Sequence, residues 1–255
     1  MCTVVFLRRP DHHWPVILGT NRDEMGDRPW LPPGRHWPDR PEVIAGQDQL
    51  AGGSWLGIND FGVVAGVLNR KDSLGPDPDL RSRGELVLDA LDHADAAAAA
   101  EALADLDGRA WRSFNMFLID NRDAWWLRSL GPQGGGKVDL FEIPEGVSML
   151  TAWDLNSPDS ARTRFHQPRF ADAPPPDPEK DDWRAWEALL ASHEAEDGAR
   201  TGEAMCIATD RGFGTLSSSL IALETMKVPK SRKIWRFAAG SPDSTPFRAI
   251  DTSNP

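Results

Sequence analysis

The chain has 255 residues, 40% of them hydrophobic and 26% charged, which fits one domain spanning residues 1–255. Its 39 acidic and 28 basic side chains give a formal net charge of −11, which argues against nucleic acid or an anionic membrane surface as the main partner. No run approaches the ~20 apolar residues that span a bilayer, and Val4 to Leu7 is too short for a signal segment, so no membrane span is predicted and the expected location is cytoplasmic.

Short apolar runs bounded by Gly, Asp, Asn or Pro read as strands at Thr3 to Leu7, Val16 to Thr20, Val43 to Ala45, Ser54 to Ile58 and Val63 to Leu68. Asn59-Asp60-Phe61-Gly62 between the last two reads as a hairpin turn. From Gly84 to Leu106 the leucines fall at helical spacing, with a break predicted near Asp95. Strands return at Asn115 to Ile119, Ala124 to Leu127, Val138 to Ile143 and Val147 to Thr151. Ser157 to Phe165 is helix-compatible. Ala171 to Asp182, with four prolines and five acidic residues, reads as an exposed loop. Trp183 to His193 reads as a helix, and Ala204 to Ala208, Ser217 to Leu223 and Ile234 to Phe237 as the last strands. Two blocks of strands alternating with two of helices predict an α+β fold, a four-layer αββα sandwich of two sheets with helices outside.

Chemistry is concentrated near the start. The two cysteines, Cys2 and Cys206, give neither a disulfide framework nor a four-cysteine metal site. Removal of Met1, which a small second residue permits, would leave Cys2 with a free α-amine. With a pKa near ~7.7 to 8.0, that amine can act as general base for its own thiol. Asn21-Arg22-Asp23-Glu24 follows the second strand and offers four hydrogen-bonding side chains in a row. Asn121-Arg122-Asp123 repeats the tripeptide where a plain hairpin turn is expected, so the tripeptide alone says little. Cys206 reads as a buried strand residue.

Two patterns mislead. Gly131-Pro132-Gln133-Gly134-Gly135-Gly136-Lys137 has the spacing of a phosphate-binding loop, but Val138 stands where its Ser or Thr is required and a strand follows. His12, His13, His36, His93, His166 and His193 show no paired ligand spacing. No metal and no cofactor are predicted.

Cys2-Thr3, Asn21 to Glu24, Ala51-Gly52-Gly53-Ser54-Trp55-Leu56-Gly57, Val67-Leu68-Asn69-Arg70, Ser82-Arg83-Gly84-Glu85, Phe213-Gly214-Thr215 and Ser217-Ser218-Ser219 together resemble the transport and Golgi organisation 2 family, also called the NRDE family. The resemblance implies the αββα sandwich of N-terminal nucleophile hydrolases. That family is similar in turn to the choloylglycine hydrolase and penicillin V acylase group, which cleaves amides with an N-terminal cysteine. On this resemblance Cys2 matches the nucleophile, Asp23 the aspartate that holds the α-amine, and Asn69 the asparagine of the oxyanion hole. The chain departs from the acylase group at Thr20 and Leu216, where that group has arginines, and at Thr151-Ala152, where it has Thr-Asn.

The implied function is an N-terminal cysteine hydrolase or acyltransferase acting on an amide or thioester of an apolar acyl group. The alternative is a non-catalytic lipid- or haem-handling carrier on the same fold. Asn21, Arg22, Glu24, Trp55 and Arg70 are the candidate substrate contacts, and the expected partner is a small molecule with an apolar part.

Overall fold

The computed structural model describes residues 2–75, 77–199, 202–228 and 230–253. Contacts divide the chain into two compact units, one of Met1–Asp27 with Pro144–Asp251, the other of Arg28–Ile143 with Thr252–Pro255. Each is built on one antiparallel sheet carrying two helices.

In the first unit the strands are β1 (Thr3–Arg8), β2 (Val16–Met25), β10 (Gly146–Leu150), β11 (Phe213–Leu223), β12 (Lys233–Ala238) and β13 (Arg248–Ile250), joined in the order β10-β1-β2-β11-β12-β13. Side chains alternate along a strand. On β1 this sends Val5 and Leu7 to the face where Trp14, Ile17, Phe170, Trp183, Trp186 and Leu220 form one buried cluster. Two helices supply part of it, α3 (Ala161–Asp172) and α4 (Arg184–Leu190). Ser160 caps α3, its Oγ accepting the Thr163 N–H at 3.1 Å.

The second unit holds β3 (Trp30–Gly34), β4 (Val43–Asp48), β5 (Leu56–Asn59), β6 (Val64–Asn69), β7 (Phe114–Ile119), β8 (Ala124–Ser129) and β9 (Val138–Glu142), neighbours in chain order. Two helices, α1 (Gly84–Leu91) and α2 (Ala96–Ala104), pack their leucines and alanines on it with Val43, Val63, Met116 and Leu118. The Asn121-Arg122-Asp123 repeat is a tight turn between β7 and β8, held by the Asp120 carboxylate on the Arg122 and Asp123 N–H groups.

Three stretches differ from the sequence reading. β3 contains Pro32 and Pro33, which cannot donate to a ladder, and it lies at a sheet edge where none is needed. The helix expected to end at Phe165 continues through Pro168 to Asp172. Ala204 to Ala208 is not a strand. It makes a single bridge, Ala208 to Gly214, because its backbone bonds elsewhere: the Met205 carbonyl accepts from Asn21, the Cys206 N–H donates to the Ser192 carbonyl, and the Ile207 N–H donates to the Thr215 hydroxyl.

Candidate functional site

Register builds the site in the first unit. Thr3 pairs with Asn21 across β1 and β2, and Asp23 pairs with Thr215 across β2 and β11. Residues directly opposed in an antiparallel pair share a face, so Thr3, Asn21, Asp23 and Thr215 point the same way. The register shifts between Thr215 and Ser217, leaving Leu216 as an extra residue.

Asp23 is closed on both sides. Its Oδ1 accepts the Thr215 hydroxyl at 2.7 Å, and its Oδ2 lies 3.1 Å from the Arg162 guanidinium. The Thr215 oxygen accepts the Ile207 N–H at 3.0 Å, so its own proton is directed to the carboxylate. Arg162 also donates to the Thr3 hydroxyl at 2.5 Å and to the Gly202 carbonyl at 2.6 Å. The exposures of the two charged side chains are 1% for Arg162 and 0% for Asp23, so the pair is held without water.

Cys2 precedes β1 and is half-buried. Its Sγ is 3.6 Å from the backbone carbonyl of Asp23. Burial, followed by the Asp23 charge, pushes the thiol above the ordinary cysteine range.

The other candidates fall into place one by one. Asn21 is fully buried, and its amide nitrogen donates to the Leu190 and Met205 carbonyls at 2.9 Å each, tying β2 to the end of α4 and to the 204–208 segment. Arg22 is only 6% exposed and pairs with Ser217 in the ladder. Glu24 accepts the Met25 N–H. Asn69, Trp55 and Arg70 belong to the second unit. Asn69 ends β6 opposite Phe114. The Arg70 guanidinium donates to Asn115 Oδ1 at 2.7 Å. Trp55 meets Trp30 edge-on at 5.7 Å, and Gly46 leaves room for its ring, since a Cβ there would lie 2.4 Å from it.

Sequence reasoning missed Arg162, and it noted Thr215 only within the Phe213-Gly214-Thr215 motif without a role in the site. The signal for Arg162 was its helical spacing with His166 and Phe170, which puts an arginine on the buried stripe of α3.

The family model for Transport and Golgi organisation 2 matches residues 1–173. The mouse Transport and Golgi organization 2 homolog is 36% identical over 96 residues, 34% of this chain, and the match spans 33% of the mouse protein. A Caenorhabditis elegans ortholog of N-acylethanolamine-hydrolyzing acid amidase superposes over 98% of this chain and 100% of its own, with a TM-score of 0.57 at 11% identity. A variant of the conjugated bile acid hydrolase of Clostridium perfringens covers 99% of this chain and 98% of its own, with a TM-score of 0.51 at 12% identity. The likeness shows a mixed α+β fold of the N-terminal nucleophile hydrolase type.

Proposed function

The chain belongs to the Transport and Golgi organisation 2 family, and we propose that it is an N-terminal cysteine hydrolase or acyltransferase acting on an amide or thioester of an apolar acyl group. The observation that carries this reading is the Cys2 thiol 3.6 Å from the backbone carbonyl of Asp23, a residue whose carboxylate is locked by Arg162 and Thr215. In the proposed reaction, loss of Met1 frees the Cys2 amine, which takes the thiol proton. The thiolate attacks the acyl carbon, the amine or thiol leaves with that proton, and water or an acceptor releases the acyl group. Asp23 would hold the protonated amine. Asn69 is the oxyanion donor nominated by the family resemblance, and Arg22, Asn21, Glu24, Trp55 and Arg70 remain proposed substrate contacts. The name of one structural neighbour, an N-acylethanolamine-hydrolyzing acid amidase ortholog, supports an acyl amide substrate, and that of the other, a hydrolase, supports hydrolysis. Residues 1–255 would act as one catalytic domain in the cytoplasm.

The second reading, a carrier for an apolar ligand without turnover, draws on the raised Cys2 thiol, which lowers the fraction of thiolate near neutral pH. The intact mass of protein from its native host separates the two, measured before and after treatment with a thiol-reactive probe bearing an apolar acyl chain. Catalysis requires a chain beginning at Cys2 and one acyl adduct that Cys2→Ser abolishes. Retention of Met1 would sink the hydrolase reading. Undiminished binding of an apolar ligand by Cys2→Ser, with no adduct on the unsubstituted protein, would favour the carrier.

A further inference from the structure

Two groups of metal-ligating side chains lie outside the Cys2 region among the described residues: His13 with Glu179 and Glu224, and His193 with Cys206 and Asp243. In the first, Arg232 already bonds both glutamates, so its positive charge stands where a cation's would be needed. Among the described residues no lysine or arginine pairs with the second group, which combines a thiol, an imidazole and a carboxylate.

We propose that His193, Cys206 and Asp243 form a binding site for a borderline-soft divalent transition ion, with Zn²⁺ as its type. One donor atom from each residue lies within 4.8 Å of the other two, and His193 Nε2 is 2.9 Å from Asp243 Oδ2. Donors around tetrahedral zinc sit about 2.0 to 2.3 Å from the ion, which puts them roughly 3.3 to 3.5 Å apart. The exposed His193 and Asp243 side chains reach that spacing by moving about an ångström. Mixed sulfur, nitrogen and oxygen donors suit zinc better than a hard cation such as Mg²⁺.

The surroundings position all three donors. The Cys206 N–H donates to the Ser192 carbonyl at 2.9 Å, fixing Cys206 beside the residue that precedes His193. Cys206 is 1% exposed, yet its Sγ lies 3.1 Å from the Ser241 hydroxyl, so the buried sulfur faces a polar neighbour. Ser244 Oγ donates to the other Asp243 oxygen at 3.1 Å, and the Ser241 carbonyl accepts the Thr245 N–H at 2.8 Å, shaping the turn that presents Asp243. Such outer hydrogen bonds orient metal ligands. The donors come from the end of the α4 region, the 204–208 segment and the turn after β12, so no local motif marks them. On binding, the Cys206 thiol gives its proton to water, and the thiolate and carboxylate balance the charge of the ion. The ion would join three segments, one of which also bonds Asn21 and Thr215.

The full chain, stripped by a chelator, is titrated with Zn²⁺ against a chromophoric chelator and separately with Co²⁺, whose thiolate complexes give a sulfur-to-metal absorption band. One equivalent should bind and the band should appear. Cys206→Ser should remove the band and weaken binding at least about tenfold, the effect of disturbing even an outer ligand contact. His193→Gln, at an exposed position that does not endanger folding, should weaken binding similarly, while Cys2→Ser should keep both signals. The site is overturned if the unsubstituted chain binds no ion, if binding follows Cys2, or if His193→Gln binds as tightly as the unsubstituted chain.

Discussion

Asp23 and Arg162 meet where neither touches water, and that decides what a substitution there does. Removing one partner of a buried pair strands the other charge and costs about 3 to 5 kcal/mol, whereas removing both costs much less. Asp23→Asn and Arg162→Met should therefore each lower unfolding stability by that order, and the double substitution by clearly less than their sum. Urea unfolding of all four proteins checks this, and strict additivity would mean that the pair is not coupled. Any loss of activity in Asp23→Asn has to be read against that loss of stability. One turn further along α3, His166 is fully buried, and burial pushes it down to about 4 while its Nε2 faces the Glu194 carbonyl at 3.1 Å. The unfolded chain protonates this histidine near pH 6.5, and the folded chain does not until about pH 4. Its contribution is therefore complete above about pH 6.5 and declines as pH falls toward 4, by up to about 3 kcal/mol. His166→Gln, which can still donate to Glu194, should show a shallower fall between pH 7 and pH 4. Parallel pH profiles for the two proteins would refute the assignment.

Elements whose signals are local were legible. The break near Asp95 is the gap between α1 and α2, and Asp95 itself caps α2 by accepting the Ala98 N–H at 2.8 Å. Strands with a buried face announced themselves by apolar residues, but β3 and β13 did not. Neither β3 nor β13 has a fully buried residue, so their sequences carry little pattern, whereas the edge strands β9 and β10 keep buried apolar residues and read as strands. The 204–208 run has strand composition but makes only one bridge, since side chains from Asn21 and Thr215 take other backbone groups of it. In the Ala51 to Gly57 motif, packing explains one of the glycines. A Cβ on Gly53 would lie 2.4 Å from the Gly84 carbonyl carbon and 2.7 Å from its oxygen, at the start of α1, where the Ser54 N–H donates to that same oxygen. Gly53→Ala should thus push α1 off the sheet at a cost of about 1 to 3 kcal/mol. Gly52 faces open space at φ +75°, so Gly52→Ala should cost only the left-handed backbone, about 1 to 2 kcal/mol. Thermal unfolding of both variants tests the mechanism, and a neutral Gly53→Ala would show that the contact relaxes freely.

Across the molecule, strand order was the part least visible in the sequence. β1 lies between β10 and β2, and β2 between β1 and β11, pairings that join the first residues of the chain to segments far along it. The same distance hid half of the candidate site: Cys2 and Asp23 lie close in sequence and were readable, while Arg162 and Thr215 reach Asp23 only through the fold. This topology bears on the proposed function because a nucleophile works best when a rigid element holds it. A strand paired on both sides opens only with the sheet, whereas an edge strand frays alone. Native-state hydrogen exchange should accordingly find the amides of Val4 to Leu7, β2 and β11 among the slowest of the first unit, and those of β13 among the fastest. The same contrast should separate β6 and β7 from the edge strands β3 and β9 in the second unit. If Val4 to Leu7 exchanged as fast as β13, Cys2 would stand next to a fraying strand, and the proposed attack by its thiol would lose its structural basis.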